Sequence, residues 1–232
     1  VDVIEEAAED SDVGLLFTGG KDSMIILYLW REYADTDATV AGVSNYIAED
    51  LVNQPPLLIV DTYNQFDEVY DFRDEIAEEW DLVFDVRSNQ EFLEEVIWNE
   101  DDERDFAWDG FKTDECCQAL KIDVMEDFIR DGYDPLIVGR RASDVNGSLE
   151  TRERTEQPLP HVRYHPLANW SDELVQMFID REGIPLPEVY YQGYEHTDCT
   201  DCTMKGEDDD DWSDMDAEQR QQLDQLRDMG YM

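Results

Sequence analysis

Residues 14–30, Gly-Leu-Leu-Phe-Thr-Gly-Gly-Lys-Asp-Ser-Met-Ile-Ile-Leu-Tyr-Leu-Trp, carry an apolar run into two glycines, a lysine, an aspartate and a serine, and out into a second apolar run. The first run, Leu15 to Phe17, predicts a buried strand, and the second, Met24 to Trp30, predicts a helix packed against it. Between them Gly19 and Gly20 let the backbone turn sharply and leave its N–H groups unobstructed. Those N–H groups, the start of the helix and the Lys21 ammonium would converge on one spot, as a bound phosphate or sulfate requires. Asp22 and Ser23 stand where helix starts are commonly capped. The spacing is neither that of the GxxxxGK[ST] phosphate loop nor that of the GxGxxG dinucleotide turn. A plain strand–turn–helix corner with a solvated lysine is the competing reading.

Strand and helix patterns continue to alternate. Residues 57–62, LLIVDT, predict a second strand ending in Asp61 and Thr62, and 66–80 an amphipathic helix. Residues 82–86 predict a third strand and 90–98 a short helix before an acidic loop at 99–109. A longer helix follows over 114–132, then strands over 135–140 and 162–168, and a helix over 171–183 capped by Ser171. The connection at 45–56 has no readable pattern. Such alternation builds a mostly parallel α/β sheet, here of five strands, with helices on both faces. Its ligands bind at the carboxyl ends of the strands. Residues 18–23, Asp61 and Gly139-Arg140-Arg141 all fall there.

The chain has 232 residues, enough for one α/β domain over 1–204, with an acidic tail over 205–232 ending in a short helix near 217–229. Sixty acidic residues face seventeen basic ones, a net charge of -43, and the acids are spread along the chain rather than blocked. That distribution suits the solvated surface of a protein from a high-salt cytoplasm; an acidic protein that avoids or mimics nucleic acid is the alternative. No basic stripe for direct nucleic-acid binding is present. No apolar run is long enough to span a membrane and no signal peptide precedes the first strand, so a cytoplasmic protein is expected.

The four cysteines form two pairs, Cys116-Cys117 and Cys199-x-x-Cys202. In a cytosolic chain such clustering points to metal more than to disulfides. Thiolates suit an iron–sulfur cluster or zinc, although an adjacent pair on a helix is poor geometry for a zinc knuckle. A buried core thiol beside a redox pair is the remaining reading. His161, His165 and His196 share no ligand spacing; His165 reads as structural, and His196 lies near the second cysteine pair.

Taken together these segments resemble the phosphoadenosine/adenosine phosphosulfate reductase family of the adenine nucleotide alpha-hydrolase-like superfamily, over residues 14–204. TGGKDS is similar to its SGGKDS pyrophosphate loop, VDTYNQFDEVYDF to its DTGxxFPETxxF segment, and CCQALKIDVM to its CC-containing helix. VGRRASD is similar to its arginine motif, YHPLANWSDELVQMFI to its nPLadWt segment, and IPLPEVYYQGYEHTDCTDCT to its closing segment. The resemblance implies a three-layer sandwich that binds an adenine nucleotide (ATP, adenylyl sulfate or its 3′-phosphorylated form) through Thr18, Gly19, Gly20, Lys21, Asp22, Ser23, Asp61, Arg140 and Arg141. It also implies that Cys116, Cys117, Cys199 and Cys202 ligate one [4Fe–4S] cluster. Two departures stand out. Tyr63 replaces the family glycine, and no cysteine follows Cys202 to serve as the family's thiol nucleophile. The implied functions are sulfonucleotide reduction with a thioredoxin-like or other external thiol, ATP-dependent sulfur transfer to DNA or tRNA, or a non-catalytic binding or assembly module.

Repulsion among sixty carboxylates is screened as ionic strength rises. The melting temperature should therefore climb from dilute buffer to molar potassium chloride. A melting temperature indifferent to salt would overturn the halophilic reading.

Overall fold

The structure is a computed structural model and describes residues 1–10, 12–34, 54–94, 113–145, 148–200 and 202–203. The acidic loop at 99–109, the end of the short helix beginning at Gln90, most of the 45–56 connection and the tail helix near 217–229 lie outside the described residues.

The element order is α1 (Asp2–Ala8), β1 (Gly14–Leu16), α2 (Lys21–Tyr33), β2 (Leu57–Val60), α3 (Asp67–Trp80), β3 (Phe84–Arg87) and α4 (Gln90–Phe92). Then come α5 (Asp114–Cys117), a π-helical turn (Gln118–Ile122), α6 (Asp123–Arg130), β4 (Leu136–Ile137), β5 (Arg152–Thr155), β6 (His161–Tyr164) and α7 (Asp172–Glu182). The strands pair in the order β3-β2-β1-β4-β6-β5, and every pairing is parallel except that of β5 with β6. The sheet thus has six strands rather than the five expected. The extra one, β5, occupies residues that read as a polar loop. Its Arg-Glu-Arg-Thr sequence alternates between exposed and half-buried on the sheet edge, so backbone pairing defines it and no apolar pattern announces it.

Alternation along the central strands explains the layers. Leu57 and Ile59 of β2 face a large core with Leu15, Phe17, Met24, Trp30 and Phe178, built from α1, α2, α3 and α7. Leu58 and Leu136 point the other way, into a smaller core with Val124, Met125 and Phe128 of α6. The predicted helix over 114–132 is present but interrupted by the π turn between the paired cysteines and α6. Single π turns of this kind concentrate at functional positions. Ser171 caps α7 as expected, accepting from the Leu174 N–H at 3.3 Å, and Gly183 closes it at φ 67°. The helix α2 begins at Lys21 with Gly20 as its cap, so Asp22 and Ser23 lie inside the first turn rather than capping it.

Gly14 opens β1 because nothing larger fits. A Cβ there would lie 2.5 Å from Leu58 Cδ1, 3.1 Å from Leu58 Cγ and 3.3 Å from Tyr133 Cδ1. Gly14→Ala should destabilise the fold by about 1–3 kcal/mol through overpacking. Denaturant unfolding would measure the loss; an unchanged midpoint would refute the packing described here.

Candidate functional site

The turn from β1 into α2 is tied down from within. Gly19 takes φ 77°, a conformation that favours glycine. The Gly20 N–H donates to Thr18 Oγ1 at 3.1 Å, and Ser23 Oγ donates to the Gly20 carbonyl at 2.9 Å. Behind the turn, Arg73 of α3 donates to the Thr18 carbonyl at 2.9 Å and is 5% exposed. Burial lowers the Arg73 pKa, against the pull of Asp61 and Tyr70. Asp61, at the end of β2, spends Oδ1 on the Tyr63 N–H and the Tyr70 hydroxyl, both at 2.8 Å.

Residues from the chain's far end cover this turn. The Lys21 N–H donates to the Tyr190 hydroxyl at 3.0 Å, and Lys21 Nζ donates to the Glu195 carbonyl at 2.9 Å. Thr197 stands so close that a Cβ on Gly20 would lie 2.8 Å from its Oγ1. Burial pushes the Tyr190 phenol up to about 12, so it stays neutral and meets the loop as a hydroxyl. The same segment carries the second cysteine pair. Thr200 donates twice to Asn64, from its N–H at 2.7 Å and from its hydroxyl at 2.8 Å, and Cys199 Sγ lies 3.4 Å from Thr62 Oγ1.

The two cysteine pairs lie within electrostatic reach of each other at this edge. Cys116, Cys117 and Cys199 are buried, Cys202 is half-buried, and all four are free thiols. Desolvation, reinforced by Cys199, Cys117 and Cys116, pushes the Cys202 thiol up to about 12. Lys121, on the π turn, lies among them and pairs with Asp198 at 3.8 Å. Burial alone would lower its pKa, but the negative potential of Cys199, Asp198, Cys117 and Cys202 holds it raised. Among the described residues no three His, Cys, Asp or Glu side chains stand together at metal-holding separation. In chemistry the donor set fits an iron–sulfur cluster or zinc: four soft sulfur donors, largely shielded from water.

The arginines divide. Arg141, 2% exposed, pairs with Asp22 at 3.0 Å, Asp144 at 3.7 Å and Asp172 at 2.6 Å, so three carboxylates already hold it. Arg140 is half-buried and its charge reaches His165, whose imidazole has no exposed surface and meets Glu153 at 3.2 Å. Arg152 and Arg154 lie on β5, where Arg152 meets the Tyr164 hydroxyl at 3.0 Å and Arg154 meets Glu156 at 3.6 Å. The exposed His196 acts on Asp172. Sequence reading assigned no role to Arg73, Lys121, Tyr190 or Glu195. Arg73 alone had a local signal: it shares the buried stripe of α3 with Val69, Phe72 and Ile76, an arginine where the period demands an apolar residue.

Asp22 and Asp172 share Arg141 yet shift oppositely. Asp172, largely exposed, is lowered by its hydrogen bond from Arg141. Asp22 is raised from 3.8 to about 6 because desolvation outweighs the attraction of Arg141 and Lys21. The folded state thus retains a proton that the unfolded chain has released, so this group's contribution to stability falls as pH rises from about 4 to 6. Asp22→Asn removes that fall, and its stability relative to wild type should increase across this window and level off above it. Unfolding titrations at several pH values test this; a difference independent of pH would contradict it.

Comparison with known proteins places this geometry. The phosphoadenosine phosphosulfate reductase domain matches residues 12–205. The chain is 30% identical over 210 residues to sulfate adenylyltransferase subunit 2 of Streptomyces lavendulae, covering 81% of this chain and 59% of that protein. It is 28% identical over 159 residues to adenosine 5'-phosphosulfate reductase of Mycolicibacterium smegmatis, covering 64% and 61% respectively. The chain therefore spans about three fifths of the length of these relatives. The phosphoadenylyl-sulfate (PAPS) reductase of Candida auris, solved as a phosphate complex, has the same fold, with a TM-score of 0.64 at 18% identity over 88% of this chain and 89% of that one. A match to that domain over residues 12–205, most of its length, makes this chain a member of the phosphoadenosine phosphosulfate reductase domain family.

Proposed function

We propose that this protein binds an adenine nucleotide with a sulfated or phosphorylated tail at residues 18–23 and works as a sulfonucleotide reductase-like protein on adenylyl sulfate. The observation that carries this reading is the junction at Lys21. Its backbone and side chain engage Tyr190 and Glu195, and Cys199 follows four residues after Glu195. That contact supports a single site shared by the nucleotide loop and the segment that carries Cys199. Adenosine joined to sulfate is also what the names of the two curated relatives have in common, and no helix among the described residues is long and apolar enough to cross a membrane.

In this reading the Lys21 ammonium, which keeps donors beyond the one given to Glu195, and the first N–H groups of α2 after Lys21 hold the tail, and Asp61 and Arg140 line the same edge. Arg73 keeps the Thr18 carbonyl turned inward, so the turn presents donors rather than acceptors to the anion. Arg141, neutralised by Asp22, Asp144 and Asp172, braces α2 against α7 and acts on the site through Asp22. Cys116, Cys117, Cys199 and Cys202 would hold a [4Fe–4S] cluster, with zinc as the alternative occupant. When bound, such a group links α5 to the 199–202 turn and polarises the sulfate end of the site. With all four thiols committed, the sulfur is attacked by a thiol from a thioredoxin-like or other partner. That thiol forms an S–S bond to the sulfonate and AMP departs. A second thiol then makes a disulfide and releases sulfite.

A second reading rests on the relation to sulfate adenylyltransferase subunit 2: the same cradle would instead hold ATP and release pyrophosphate. Adenylyl transfer needs no thiols, and the cysteines folded onto the loop favour the first reading.

Lys21→Ala should weaken binding of the sulfated nucleotide by about 1.5–3 kcal/mol, the contribution of a hydrogen bond to a charged group. Titration calorimetry measures it, and equal affinity in variant and wild type would end the proposal. Anaerobically reconstituted protein given adenylyl sulfate and a dithiol should release sulfite. Pyrophosphate from ATP with no sulfite would transfer the assignment to the second reading.

A further inference from the structure

Two non-glycine residues among those described have positive φ, Asp81 at 53° and Tyr63 at 50°. Asp81 is the left-handed cap that ends α3, a position where aspartate is tolerated. Tyr63 caps no helix. It is a bulky aromatic in a conformation that glycine adopts without strain, and the family pattern has glycine at this position. Its neighbours hold it there. The Tyr63 N–H donates to Asp61 Oδ1, which Tyr70 fixes from behind, and the Asn64 N–H donates to Thr62 Oγ1 at 3.3 Å. On the far flank Thr200 clamps Asn64 by both its backbone and its side chain.

Strain held in place by surrounding bonds is worth explaining by what the side chain does. Core packing is a poor account, because Tyr63 remains 44% exposed. Its place is informative. It follows β2 at the carboxyl edge, beside the β1 turn, in a loop that Gln65 also ties to the Thr197 carbonyl at 3.4 Å. Asp61 on one side is coupled through Arg73 to the Thr18 carbonyl, and Asn64 on the other is bonded to the cysteine segment. The half-exposed aromatic ring is thus carried by a loop that is tied to both sides of the β1 turn. The complementary surface on an adenine nucleotide is its base.

We infer that Tyr63 is a base-binding residue that stacks on the purine ring of the bound nucleotide and sets a preference for nucleotides over bare anions. The inference rests on the nucleotide reading of residues 18–23 and adds a second contact to it, made by a tyrosine where the family pattern has glycine. The strained backbone is maintained because it aims the ring at the base.

Substitution separates the strain from the stacking, since the two predict opposite signs. Tyr63→Gly relieves the backbone and removes the ring. It should melt no lower than wild type, yet bind ADP about tenfold more weakly, as expected for the loss of one base–aromatic stack. Its affinity for inorganic pyrophosphate, which has no base, should be unchanged. Tyr63→Phe keeps the ring and should bind ADP like wild type, whereas Tyr63→Asn tolerates the conformation but should behave like the glycine variant. Calorimetry of all four proteins in molar potassium chloride, alongside their melting curves, gives the answer. Equal ADP affinity in wild type and Tyr63→Gly would overturn the inference while leaving the cradle intact. An equal loss of ADP and pyrophosphate binding would also overturn it, because the residue would then act on the shape of the cradle. A wild-type protein that binds neither ligand would overturn the nucleotide reading itself, and this inference with it.

Discussion

One hydrogen bond, from the Lys21 N–H to the Tyr190 hydroxyl, organises the functional edge of the molecule. It joins residues 169 positions apart and seats the segment that bears Cys199 and Cys202 on the turn that begins α2. Everything nearby depends on that seating. Thr197 reaches Gly20, the Glu195 carbonyl takes the Lys21 ammonium, and Thr200 reaches Asn64 just after β2. The phenol suits the role because burial keeps it neutral, so it accepts from the N–H without adding a negative charge to the turn.

Cations are scarce in this chain, and the structure concentrates several of them at one edge. Arg73 and Arg141 are almost wholly buried on two sides of the β1–α2 turn, and Lys21 and Lys121 complete the group. Each is matched. Arg73 faces Asp61, Arg141 holds three aspartates, and Lys121 lies between Asp198 and the thiols. Buried charges left unmatched would cost several kcal/mol apiece, so the aspartates are part of the scaffold rather than ornaments of an acidic surface. Asp22 shows the tension: even with Arg141 beside it, desolvation keeps its pKa high.

The β1 turn, the helix behind it and the alternation of strands were readable because each is local. Two glycines before a lysine, an apolar run of strand length and a stripe of helical period are dictated by backbone sterics within a few residues. The two core faces were implicit in the alternation of Leu57, Leu58 and Ile59. The sixth strand was not readable, since an edge strand of Arg-Glu-Arg-Thr buries no continuous side and is held by backbone pairing to β6. The π turn that sets Lys121 among the cysteines left no mark in the residue pattern either.

The sequence by itself determined a mostly parallel α/β sheet, a glycine-lysine turn at residues 18–23 between a strand and a helix, two cysteine pairs and an acid-rich surface, because composition and short-range periodicity encode these. Only the tertiary structure decided that Arg141 is enclosed by three aspartates, that Arg73 stands behind Thr18, that Tyr190 rests on Lys21 and that Tyr63 is held in a left-handed turn. Most of these are contacts between residues dozens of positions apart, created when the order β3-β2-β1-β4 brings the strand ends side by side. The fourth is a local conformation, held by Asp61, Thr62 and Tyr70 from nearby and by Thr200 on Asn64 from 136 positions away. Strand order and register are global properties of the packed core, so no window of sequence short enough to read by pattern contains them.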